Sequence, residues 1–97
     1  MKEVKLHGEA YKLGGKVLSI GMDMQCFKAV SISRIFEINE DNFVFAEVGA
    51  EDCKVVLPIS YLEEFYVYNE ANRKKLQDYC DKCHKEWEEA VARQFGR

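Results

Sequence analysis

The residues of this chain best suited to chemistry sit near its end, in the run Cys80-Asp81-Lys82-Cys83-His84. As text the run matches the C-x-x-C-H pattern of covalent haem attachment. Thiolate and imidazole are also zinc donors. Cys80, Cys83 and His84 would need one more ligand, from His7, Cys26 or Cys53, to complete a tetrahedral site. The same cysteine spacing occurs in dithiol redox motifs. The surrounding residues oppose all three readings. Haem attachment belongs to an export compartment, and a leader needs an apolar run of about 7–15 residues. Met1-Lys2-Glu3-Val4-Lys5-Leu6-His7 instead alternates polar and apolar residues. Zinc knuckles converge two sulfurs on a tight turn, whereas Asp81 and Lys82 continue a helical pattern. Redox pairs use a helix N-terminus to lower a thiol pKa, and Cys80 falls well inside its helix. The expectation is that the cysteines act as small apolar packers. No metal or cofactor is expected, and Cys80, Cys83 and His84 are the residues on which a metal would be sought.

Other reactive side chains are scattered. Glu63-Glu64 and Glu88-Glu89 are adjacent pairs, and adjacent residues do not face one another on a helix or strand. His7 stands beside Gly8 with no visible partner. Gly14-Gly15-Lys16 reads as a turn more readily than as a phosphate cradle. No G-x-x-x-x-G-K, G-x-G-x-x-G or G-x-S-x-G occurs. Nothing converges as nucleophile, base and anion hole, so the expectation is that the protein is not an enzyme.

Charge narrows the partners. The formal net charge is −3, and its distribution is uneven. Lys2, Lys5, Lys12 and Lys16 outnumber Glu3 and Glu9 at the start. Residues 37–64 then hold Glu37, Glu40, Asp41, Glu47, Glu51, Asp52, Glu63 and Glu64 against Lys54 alone. Nucleic-acid binders concentrate basic residues on one face, and here the strongest single-sign region is acidic. A nucleic-acid role would need the N-terminal lysines and Arg73-Lys74-Lys75 on one face. The aromatic run Phe65-Tyr66-Val67-Tyr68 follows two glutamates and reads as packing. The acidic middle offers a thinner alternative, an inhibitor that binds a basic protein. No stretch approaches the ~20 apolar residues of a membrane span. With no leader expected, four thiols point to a reducing cytoplasm.

The elements that must position these residues change character at Asn69. Before it, short strand patterns alternate with turn signals: Val4–Leu6, Lys16–Ile20, Phe27–Ile32, Phe43–Val48, Lys54–Leu57 and Phe65–Tyr68. Ser60-Tyr61-Leu62-Glu63 has the form of a capping box and predicts one helical turn before the last strand. Strand, short turn, strand resembles in pattern the closing segment of SH3-like and Sm-like barrels, over about residues 16–68. A faint repeat at an offset of 27 residues, Val30-Ser31-Ile32-Ser33-Arg34-Ile35 against Leu57-Pro58-Ile59-Ser60-Tyr61-Leu62, agrees with that pattern. From Asn69, an N-cap type, to Gly96 there is no Gly or Pro. Leu76, Tyr79, Cys80, Cys83, Trp87, Ala90, Val91 and Phe95 recur by threes and fours, the stripe of a helix about 39 Å long.

The expected fold is one α+β domain over residues 1–97. An antiparallel β-barrel or curved sheet of about five or six short strands (1–68) precedes one long helix (69–95). That helix carries more apolar surface than a small sheet can cover. The expected role is therefore a non-enzymatic protein–protein interaction module. It self-associates as a homodimer through Leu76, Tyr79, Cys83, Trp87, Val91 and Phe95.

Overall fold

The structure, a computed structural model, describes residues 2–96. It is α+β, with two antiparallel sheets followed by a C-terminal helix. β1 (Glu3–Leu6) and β2 (Glu9–Lys12) form a hairpin closed by His7 and Gly8, both at positive φ. A two-residue loop with that backbone matches the twist of its strands. The sequence reading missed β2, because Glu9-Ala10-Tyr11-Lys12 carries only one strongly apolar residue.

β3 (Lys16–Met22), β4 (Lys28–Ile38), β5 (Asn42–Glu47), β6 (Val55–Pro58) and β7 (Tyr66–Val67) make the second sheet, in the order β6-β5-β4-β3-β7. The strand expected at 27–32 is part of a longer one, β4, which runs on to Ile38 and is kinked by a register shift between Ile35 and Glu37. The repeat at an offset of 27 does not survive in three dimensions. Its first copy runs unbroken within β4, while its second leaves β6 at Pro58 for a 3₁₀ turn, Ile59–Glu64. The predicted helical turn is therefore present, but Ser60 does not cap it. The turn starts at Pro58 with no side-chain cap, and buried Leu62 anchors it instead.

The sheet does not close into a barrel. β6 and β7 remain its two edges, joined by the 3₁₀ turn rather than by a hydrogen-bonded ladder. It nevertheless curls. Phe43 and Phe45 of β5 lie 5.7 and 5.1 Å from the ring of Phe65, which precedes β7. Inside the curl sits the core: Tyr11, Val17, Ile35, Ile38, Phe43, Leu62 and Phe65. The β1–β2 hairpin supplies Tyr11, whose hydroxyl donates to the Phe65 carbonyl.

Alternation along β3 turns Leu18 away from Val17, onto the opposite face of the sheet. There it is fully covered, as are Leu76 and Cys80 of the helix α1 (Glu70–Gln94), which lies against β3 and β4. Asn69 caps α1 as expected, accepting from the Asn72 amide at 2.8 Å. Gly96, at φ +69, follows its end. The molecule thus has two apolar layers, one on each face of the β3–β4 pair. No helix among the described residues is long and apolar enough to cross a membrane.

Candidate interaction surface

The apolar stripe of α1 meets the sheet only along its first half. Leu76 and Cys80 are buried, and Cys83 is half-buried. Tyr79 lies at the margin, 45% exposed, and its hydroxyl accepts from Lys28 Nζ at 2.8 Å. That bond, followed by the nearby Tyr79 and Cys83 groups, holds the Lys28 ammonium above its ordinary range. Beyond Cys83 the sheet runs out. The β3–β4 connection turns back through residues 23–27, where Asp23 Oδ1 accepts from the amides of Gln25 and Phe27. Phe27 caps the contact, stacked on His84 at 4.2 Å and edge-on to Trp87 at 4.9 Å.

Past that point the helix overhangs. Trp87 is 51% and Phe95 67% exposed, with half-buried Val91 between them. The hairpin tip adds two more apolar side chains, Met22 at 72% and Met24 fully bare. Of the six stripe residues expected from the sequence, the structure gives Leu76 to the protomer's own packing. Tyr79, Cys83, Trp87, Val91 and Phe95 lie along the margin and the overhang. Ile20, Met22, Met24 and Phe27 were missed. Their only signal was an odd one, two methionines within the polar turn Gly21-Met22-Asp23-Met24.

The cysteine run does not assemble a metal centre. Among the described residues no three His, Cys, Asp or Glu side chains gather to hold a metal. Cys80 faces the sheet, and burial, then Cys83 and Asp81, push its thiol up. A thiol so placed is a poor nucleophile and a poor ligand. His84 spends one face on Phe27 and points Nε2 at Glu88 Oε1, 3.3 Å away. All four cysteines are free.

Charged groups around the β1–β2 hairpin lie close to partners of opposite sign. Glu9 is structural, accepting from Asn72 Nδ2 at 3.0 Å and from the Val67 amide at 3.3 Å. His7 and Glu63 approach to 3.9 Å with both side chains mostly exposed. Lys12 and Lys16 share a cleft with Glu9, and Lys75 shares another with Glu9 and Glu63. Lys12, Lys16 and Lys75 thus each lie among acids. Comparison with family models, with curated proteins and with solved structures finds no match.

Proposed function

We propose that the protein is a non-enzymatic interaction module that self-associates through the second half of α1. The observation that carries this reading is the overhang itself. A tryptophan, a phenylalanine and two methionines are exposed on one end of the molecule, where its own sheet has ended. Half-exposed aromatic and methionine side chains leave roughly 100 Å² each, and apolar patches of several hundred Å² on a small protein mark interaction sites. Aromatic residues and methionine are also the types enriched at such interfaces.

The reading treats the curled sheet, of SH3-like order, as a platform that holds α1 at a fixed angle. Its core and the helix layer leave the overhang rigid enough to present a defined surface. Association then buries Trp87 and Phe95 at about 25 cal/mol per Å² of apolar area removed from water. The protein works in the cytoplasm on this reading, with its thiols reduced.

Light scattering across a concentration series tests it. The wild-type chain is expected to reach twice the monomer mass, and Trp87→Ser is expected to need a concentration roughly 30 times higher to do so while keeping its fold. A wild-type chain that stays monomeric at every concentration would remove the reading.

A further inference from the structure

We infer that the element joining the two copies is the free edge of β3, paired antiparallel with itself across a twofold axis at Gly21. This inference rests on the self-association proposed above, and adds to it the strand and the register.

β7 covers only the start of β3, with Val17 opposite Val67 and Leu18 opposite Tyr66. Ser19 to Met22 have no strand on that side. In an antiparallel strand the N–H and C=O of one residue point to the same side, and the side alternates. The Lys16 carbonyl accepts from the Tyr68 amide at 3.2 Å, so even-numbered residues of β3 face β7. The Asp23 amide donates to Phe27 at 2.9 Å, so odd-numbered residues face β4. The outward groups are therefore those of Ile20 and Met22. Edge strands are ordinarily guarded by charge, proline or a bulge. β6 follows Lys54 and ends in Pro58, whereas Ser19-Ile20-Gly21-Met22 carries no guard at all.

This edge is self-complementary. An axis at Gly21 sets Ile20 opposite Met22 of the second copy, and each such pair exchanges two hydrogen bonds through the outward groups. Gly21 then lies opposite Gly21 of the second copy, where no side chain intrudes. Antiparallel pairing about an axis normal to the sheet keeps both helices on the same face. Ile20 and Met22 share that face with Leu18, under α1. Beside the edge lies an open cleft of about 550 Å³, lined by Ile20, Phe65, Tyr66, Lys75, Leu76 and Tyr79. It has room for the apolar side chains arriving from the other copy.

Charge favours a second copy as the occupant. α1 runs along β3 in the same direction, starting beside Lys16 and reaching Lys28 at Tyr79 and Phe27 at His84. The twofold axis therefore lays the two helices antiparallel. Arg73, Lys74 and Lys75 of one then lie along Glu86, Glu88 and Glu89 of the other, basic turns against acidic ones. Area agrees. Ile20, Met22, Met24, Tyr79, Trp87 and Phe95 together leave roughly 700 Å² exposed per protomer, against ~800 Å² per partner in a standard interface.

Residue-resolved amide exchange on the full chain, at dilute and at associated concentrations, tests the register. The Ile20 and Met22 amides are expected to slow by a factor of about ten or more on association. Those of Ser19 and Gly21, already bonded to β4, are expected to stay unchanged. Met22→Pro deletes an outward N–H without touching β4, and is expected to weaken the dimer on the order of 30-fold while leaving the melting temperature of the dilute monomer unchanged. If the chain dimerises and Trp87→Ser weakens the dimer, while Ile20 and Met22 exchange freely in the wild-type dimer, the edge pairing is overturned and the helix reading survives. If the wild type is monomeric throughout, both are overturned.

Discussion

The two halves of α1 share one sequence pattern and meet opposite fates. From Glu70 to Cys83 the stripe is pressed against β3 and β4, with Leu76 and Cys80 almost fully covered. From His84 onward the same threes-and-fours spacing continues, but only Phe27 of the β3–β4 connection is stacked against it, on His84 and Trp87, and Trp87 and Phe95 stay largely exposed. Periodicity dictates a helix and its apolar side. The length of the neighbouring ribbon dictates how much of that side the protomer can use. The molecule's longest dimension, 55 Å against 29 and 21 Å, reflects this mismatch.

The sharpest way to break the contrast is to truncate one residue in each half. Leu76→Ala empties a covered site between helix and sheet and is expected to lower unfolding stability by about 3 kcal/mol, read by denaturant titration. A loss under about 1 kcal/mol would mean the first half is not anchored as described. Trp87→Ser is expected to act on association, weakening the dimer by about 2 kcal/mol, as central aromatic residues of interfaces do. In the monomer its effect on unfolding is expected to stay below about 1 kcal/mol.

The contrast was only half legible in the sequence. The stripe, the Asn69 cap and the strand-rich first two-thirds can all be read from residue types and spacing. The division of the stripe cannot, because it depends on where β4 and β3 end relative to the helix. That end is fixed by the tertiary register of Met22 against Lys28. The same limit hid β2, which is held by Tyr11 entering a core assembled from distant strands. It also made Cys80, Cys83 and His84 look like a ligand set. Helical spacing places them near one another, but packing turns Cys80 into the sheet and His84 onto Phe27.

Two smaller effects sharpen the picture from the other side of the sheet and from the helix start. Tyr11→Phe leaves the Phe65 carbonyl without its donor and is expected to cost about 1–2 kcal/mol. Burial, with Glu9 next, raises the Tyr11 phenol above its ordinary value. The folded chain therefore holds that proton more tightly than the unfolded one. This contribution is present below about pH 10, the unfolded phenol's range, and fades as pH rises through it toward the folded value. A stability–pH series should show that alkaline loss diminished in Tyr11→Phe. Asn69→Ala removes the cap of the anchored half and is expected to lower stability by about 1 kcal/mol, without changing the association constant of the folded chain.

Trp87 is the chain's only tryptophan, so its fluorescence reports the overhanging half alone. Emission and acrylamide quenching should be followed across the concentrations at which the mass doubles. The account predicts a blue shift and falling quencher access in step with dimer formation. A mass that doubles while Trp87 stays as wet and as quenchable as at high dilution would contradict it.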